Sequence, residues 1–270
     1  MRNLEKYKGV IPAFYACYDK EGNISPEGVQ GLTKYFVKKG VKGVYVNGSS
    51  GECIYQSVED RKIVLENVMK VAEGKLTVIA HVACNNTKDS QELARHAEGL
   101  GVDAIAAIPP IYFHLPEYAI AQYWNAISAA APNTDFVIYN IPQLAGVALT
   151  QNLFAEMRKN PNVIGVKNSS MPVQDIQMFK QAAGAEYIIF NGPDEQFMSG
   201  RVIGAEGAIG GTYGAMPELY LKLDECINAG KMTEARKIQY ACNEIIYKMC
   251  SAHGLSLIHI SEPTRPEPIS

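Results

Sequence analysis

Val163-Ile164-Gly165-Val166-Lys167 reads as a short buried strand that ends on a cation. Four small or apolar residues in a row suit a parallel strand covered on both faces. Strict alternation puts Val163, Gly165 and Lys167 on one face and Ile164 and Val166 on the other. The branched pair is expected to pack against outer helices, which leaves Lys167 pointing inward. Lysine is seldom fully buried without a reason. Desolvation favours its neutral form, and a neutral amine is the nucleophile that forms a Schiff base with a ketone. The competing reading is a lysine just past the strand that extends to water.

Outward from this stretch, short apolar runs alternate with longer helical patterns. Strands are expected at Val10–Ala16, Gly43–Asn47, Leu76–Val82, Ala104–Ile108, Phe136–Asn140, Val163–Lys167, Tyr187–Asn191 and Gly207–Gly210. Helices are expected between them at Ser25–Lys39, Ser57–Ala72, Thr87–Leu100, Pro116–Ala130, Thr150–Lys159, Pro172–Ala182 and Asp194–Val202. Ser25-Pro26-Glu27 is a helix start, with a cap residue followed by proline at the first helical position. Eight strands with intervening helices give an α/β (β/α)₈ barrel, the TIM-barrel architecture. A doubly wound dinucleotide fold needs a glycine fingerprint after its first strand, and Tyr15-Ala16-Cys17-Tyr18-Asp19 lacks one.

The expected domain organisation is a catalytic barrel over 1–216 and an incomplete set of C-terminal helices over 217–254. Pro217–Ala229 and Met232–Ser251 exceed what a barrel needs. Residues 255–270 read as a non-native tail with three prolines and no period; they resemble a translated sequencing-adapter sequence.

Twenty-five Lys and Arg against 28 Asp and Glu give a net charge of −3. No basic stripe suggests nucleic acid, and no apolar run has the length of a membrane span or a signal peptide. The six cysteines include no C-x-x-C pair and no zinc spacing with histidine. No metal site is therefore expected, and scattered thiols fit a cytoplasmic protein.

In a barrel, chemistry sits where strands run into βα loops. Strand five ends in Tyr139-Asn140-Ile141-Pro142. An inward Tyr139 meets Lys167 and can relay protons; alternatively it is an aromatic that fills the barrel. Gly48-Ser49-Ser50-Gly51-Glu52 supplies close backbone approach and hydroxyls for a carboxylate or phosphate, or is an ordinary small-residue loop. Asp194 and Glu195 after strand seven can accept bonds from sugar hydroxyls, complement a helix dipole, or both. Gly210-Gly211-Thr212-Tyr213-Gly214 marks the corner where many barrels hold phosphate. Tyr112 follows strand four at the same end as Tyr139. His81 and His96 read as structural.

Together, the GSSGE turn, the YNIP at Tyr139 and the lone lysine ending strand six resemble the N-acetylneuraminate lyase and dihydrodipicolinate synthase family of pyruvate-dependent class I aldolases. The resemblance runs from about Val10 to Gly254. It implies that Lys167 forms an imine with pyruvate, that Tyr139 relays protons, and that Ser49 and Ser50 hold the pyruvate carboxylate. Tyr112 matches a tyrosine of the family site whose relay partner, in the synthase branch, comes from another subunit. The synthase branch usually carries arginine two residues beyond the proline, where this chain has Leu144; the sugar-acid lyases carry an apolar residue there. Asp194 and Glu195 match the lyases' polyol-reading pair, and Ser169 and Gly192 match further substrate contacts. Gly211 departs from the serine that some sialic acid lyases place there.

The resemblance thus implies a lyase that cleaves N-acetylneuraminate to N-acetylmannosamine and pyruvate without a cofactor, in a homo-oligomer, commonly a tetramer. The alternatives are another pyruvate aldolase acting on a keto-deoxy sugar acid or in the manner of dihydrodipicolinate synthase, a phosphate-binding isomerase, or an inactive truncated product.

Overall fold

The computed structural model describes residues 3–251 of the chain, and the proposed tail lies outside them. Eight parallel strands form one sheet in the order β1-β8-β7-β6-β5-β4-β3-β2: β1 Gly9–Pro12, β2 Gly43–Val46, β3 Thr77–His81, β4 Ala104–Ala107, β5 Asp135–Asn140, β6 Val163–Asn168, β7 Ile188–Asn191 and β8 Gly207–Gly210. The barrel closes between β1 and β2, where Phe14 N donates to Tyr45 O at 2.8 Å and Lys42 N to Val10 O at 2.9 Å. The first strand ends at Pro12 rather than Ala16, because past Pro12 only an isolated bridge, Ala13 to Tyr45, continues the pairing.

Helices α1 Pro26–Lys39, α2 Val58–Ala72, α3 Thr87–Gly99, α4 Glu117–Ala130, α5 Pro142–Ala145, α6 Gln151–Met157, α7 Gln174–Ala183 and α8 Phe197–Val202 follow the successive strands. The short α5 was not anticipated. The helix expected from Asp194 begins instead as a 3₁₀ turn, Asp194–Gln196, before α8. Side-chain caps start several helices: Ser25 accepts from Gly28 N on α1, and Ser57 forms a reciprocal capping box with Asp60 on α2. Beyond β8 lie α9 Pro217–Asn228 and α10 Met232–Ser251.

Apolar side chains separate into three clusters. Ile11, Tyr45, Ile79, Ala106, Val137, Ile188, Phe190 and Ile209 fill the barrel. A larger layer, including Trp124, Phe136, Val163 and Val166, seals the strands against the helices. A third cluster joins Phe197, Tyr213, Tyr220, Cys242 and Ile246, where α8, α9 and α10 meet.

Strand six departs from strict alternation. Phe136 pairs with Val163 but Val137 pairs with Gly165, so Ile164 is an extra residue opposite no partner. The bulge turns Ile164 into the barrel and Val163 outward, the reverse of the expected faces. Downstream the register resumes, with Tyr139 opposite Lys167 and Asn140 opposite Asn168. Gly165 is required here: a Cβ on it would stand 1.9 Å from Ile188 O.

Candidate active site

A cavity of about 980 Å³ opens where β2, β5, β6, β7 and β8 run into their loops. Lys167 reaches it from the end of β6 and is 4% exposed. Its Nζ stands over two aromatic faces, 3.7 Å from the Tyr139 ring centre and 4.3 Å from that of Tyr45. Such faces hold the amine laterally. Tyr139 is fixed in turn by edge-on contacts with Tyr45 at 5.8 Å and His81 at 6.1 Å. Tyr45 forms the floor beneath the lysine. Sequence reasoning passed over it, although a tyrosine inside the apolar run Gly43-Val44-Tyr45-Val46 was a visible signal.

The strand ends that carry the pair are tied together. Asn140 Nδ2 donates to Asn168 Oδ1 at 2.7 Å, and Leu149 N donates to Asn140 Oδ1 at 2.9 Å. Asn168 Nδ2 donates to Ser170 Oγ, which in turn donates to Asp175 Oδ2 at 2.6 Å. These buried amides follow directly after Tyr139 and Lys167 in the chain. Fully satisfied networks of this kind set register at a site.

Ser49 and Ser50 line the cavity from the 3₁₀ turn Ser49–Gly51. Asn47 before the turn and Glu52 after it both adopt positive φ, 59° and 56°. Asn47 is held from both sides. Its Nδ2 donates to Arg61 O at 2.8 Å, and its carbonyl lies 2.9 Å from His81 Nδ1. The carbonyl only accepts, so Nδ1 carries the proton. Burial and the neighbouring Arg61 push His81 well below its usual range, which keeps it neutral. Arg61 is buried; its guanidinium donates to His81 O at 2.7 Å and Ala83 O at 2.8 Å at the end of β3, while its own carbonyl accepts from Asn47 at the end of β2, so the residue braces both strand ends. Neither Arg61 nor this use of His81 was foreseen; a helix arginine looks like surface until the helix is packed.

On the opposite wall, Ser169, Gly192, Asp194, Glu195 and Gly211 also line the cavity. Gly211 O accepts from Tyr15 OH. Thr212 donates twice to Asp194 Oδ2, through N and Oγ1, each at 2.6 Å. Burial raises the Asp194 carboxyl to about 6, against the opposing effect of these two bonds. A Cβ on Gly210 would stand 2.0 Å from Asp194 Oδ1, so the glycine makes room for the acid.

Nine of the ten residues singled out for the site therefore share one cavity. Tyr112 is the exception. It is 85% exposed, has φ of 85°, packs edge-on to Phe113 at 4.8 Å and does not line the cavity. Its strand end is near, but the loop carries the ring out to the rim. Among the described residues no group of three or more His, Cys, Asp or Glu could hold a metal ion.

A parallel eight-stranded barrel with an amine over a phenol at its mouth has the layout of a Schiff-base aldolase. The chain belongs to the dihydrodipicolinate synthetase family, whose model matches residues 6–262. N-acetylneuraminate lyase 2 of Escherichia coli O6:H1 is 35% identical over 243 residues, covering 89% of this chain and 79% of that relative. Two solved structures are 97% identical to this chain. One is a Ruminococcus gnavus sialic acid aldolase catalytic lysine mutant, with a TM-score of 0.94, covering 96% of this chain and 85% of that one. The other is the wild-type Ruminococcus gnavus sialic acid aldolase, with a TM-score of 0.92, covering 94% and 85%.

Proposed function

We propose that this chain is a sialic acid aldolase, cleaving N-acetylneuraminate reversibly to N-acetylmannosamine and pyruvate through an imine on Lys167. The observation that carries the reading is the juxtaposition of Lys167 Nζ and the Tyr139 ring at the closed end of the cavity. The 97% identity to a sialic acid aldolase supports the choice of substrate.

Lys167 adds to the C2 ketone of the open-chain sugar acid, and the carbinolamine loses water. The iminium withdraws electrons from the C3–C4 bond. Tyr139 takes the C4 hydroxyl proton, directly or through the substrate carboxylate, as that bond breaks. N-acetylmannosamine leaves as the aldehyde. The remaining enamine is protonated at C3, and water hydrolyses the imine to release pyruvate and the free amine. Ser49 and Ser50 hold the carboxylate, and Asp194 and Glu195, with Ser169, Gly192 and Gly211, face the polyol.

Two alternatives fit less well. A phosphate-binding isomerase needs free donors at the β8 corner, yet Thr212 N is already given to a carboxylate. A dihydrodipicolinate synthase-like activity needs a cation for a second carboxylate, whereas Leu144 lines the cavity where that branch carries arginine. Arg61, the other cation on the wall among the described residues, is committed to carbonyls. As part of the same reading, the catalytic barrel spans 1–216 and 217–254 is an incomplete C-terminal helical region, of which the described helices are α9 and α10. The protein works in the cytoplasm as a homo-oligomer, a tetramer. Apolar side chains exposed beside the mouth, Ile54, Tyr55, Tyr112 and Phe113, support the association.

Incubation with N-acetylneuraminate should release pyruvate. Pyruvate with borohydride should leave a stable added mass on Lys167. An absent adduct, or one on another lysine, would overturn the assignment.

A further inference from the structure

We propose that Gln239 and Asn243, on α10 outside the barrel, are positioning residues that set the preference for the polyol end of the substrate. This rests on reading Asp194 and Glu195 as the polyol-binding carboxylates.

The two side chains are one helical turn apart and project from one face of α10. Gln239 Nε2 donates to Asp194 O at 3.2 Å, and Asn243 Nδ2 donates to Glu195 O at 3.2 Å. Gln239 Oε1 accepts from Met198 N at 2.8 Å, so one amide ties the start of the turn that presents the acids to the first turn of α8 behind it. Gln239 Nε2 also donates to Asn243 Oδ1 at 2.8 Å, which links the two. All the bonds to the turn go to backbone. They locate the Cα atoms of Asp194 and Glu195; Asp194 Oδ2 stays with Thr212, and the other carboxylate oxygens are the ones offered to ligand.

The grip is needed because the acids sit on a three-residue 3₁₀ turn, which has poor hydrogen-bond geometry of its own. Gln239 is 6% exposed, and a buried amide with all its groups engaged specifies one arrangement. Farther along the same face, Ile246 reaches the cavity wall. The pyruvate end is built from β2, β5 and β6, and Gln239 and Asn243 make their hydrogen bonds to the Asp194–Glu195 turn, to Met198 and to each other instead. The structure therefore separates a lysine–tyrosine machine inside the barrel from a polyol gauge set by a helix outside it.

The test uses Gln239→Glu and Asn243→Asp in the full chain. Gln239→Glu keeps an acceptor for Met198 N but puts a carboxylate oxygen against Asp194 O. In Asn243→Asp the half-buried side chain exchanges its donor for a carboxylate oxygen facing Glu195 O, at a less buried position than Gln239, so this variant carries the test should the first fail to fold. Three readouts are compared: cleavage of N-acetylneuraminate, borohydride trapping of pyruvate on Lys167, and condensation of pyruvate with N-acetylmannosamine against glyceraldehyde, which lacks the distal hydroxyls.

KM for N-acetylneuraminate should rise about tenfold, with kcat changed by less than about threefold. Trapping should proceed at the wild-type rate, and the preference for N-acetylmannosamine over glyceraldehyde should fall about tenfold. An unchanged KM, or equal losses on both aldehydes together with lost trapping, would overturn the proposal and leave the two amides as scaffold only. Wild-type protein that traps pyruvate but does not cleave N-acetylneuraminate would overturn the substrate reading itself, and this proposal with it.

Discussion

Lys167 and Tyr139 face each other across one rung of the barrel: they are register partners on adjacent strands, and the amine stands 3.7 Å from the centre of the phenol ring. A bulge one turn of the pleat earlier makes this pairing possible. Were the strand paired regularly from Phe136–Val163, with no bulge at Ile164, Lys167 would stand opposite Asn140 and point to the opposite face. Ile164 and Lys167 could not then both lie inside, because three residues apart is an odd step in a period of two.

Tyr139→Phe separates packing from proton transfer. The ring contacts to Tyr45 and His81 survive, so the melting temperature should move little. Loss of the hydroxyl should lower kcat about 10²–10⁴-fold, the usual worth of a positioned acid–base group. Borohydride trapping of pyruvate should persist at a reduced rate. Near-normal kcat would show that another group moves the proton.

Asp194 supplies a pH dependence with a definite sign. Its carboxyl is raised from 3.8 to about 6, chiefly by burial. The folded protein therefore binds the proton more tightly than the unfolded chain. Stability from this group is greatest below about pH 4 and is lost as pH rises through 6, a difference on the order of 3 kcal/mol. Asp194→Asn should thus melt higher than wild type at pH 8, with the gap closing towards pH 4. Sugar-acid cleavage runs the other way: kcat/KM in wild type should fall as pH drops below about 6 and the acid is protonated. Calorimetry across this range, beside rate profiles of both proteins, checks both signs. A wild-type melting temperature that tracks the Asn variant at every pH would contradict the assignment.

Gly192→Ala tests the close approach of β7 to β6. A Cβ would stand 2.0 Å from Ser169 Oγ and 2.7 Å from Asn168 O. The hydroxyl can rotate but the carbonyl cannot, so the strand ends must part. Overpacking of this kind costs about 1–3 kcal/mol, and because Ser169 follows Asn168, cleavage activity should fall by at least about tenfold. Denaturant melts and initial rates measure the two effects. A variant of wild-type stability and rate would mean that the wall is softer than its spacing indicates.

Much was legible before any coordinates. Buried parallel strands announce themselves as short apolar runs, and cap residues mark helix starts such as Ser25 and Ser57, because both signals are local. Strand ends place chemistry at one mouth, so Lys167, Tyr139, Ser49, Ser50, Asp194 and Glu195 could be named from strand boundaries, while Ser169, Gly192 and Gly211 come from the family resemblance. Tyr112 shows the limit: proximity to a strand end does not say which way a loop turns, and this one turns to solvent.

The chain's own residues thus determine a barrel, its mouth, and an amine with a phenol at that mouth, since alternation, apolar runs and loop chemistry are written within a few positions of one another. Only the tertiary structure decides that Ile164 faces inward, that Tyr45 lies beneath the amine, that Arg61 braces two strand ends from within a helix, and that Gln239 and Asn243 reach back to a turn more than 40 positions earlier. Each depends on a partner strand's register or on a contact between distant segments, and no window along the chain contains both halves of such an interaction.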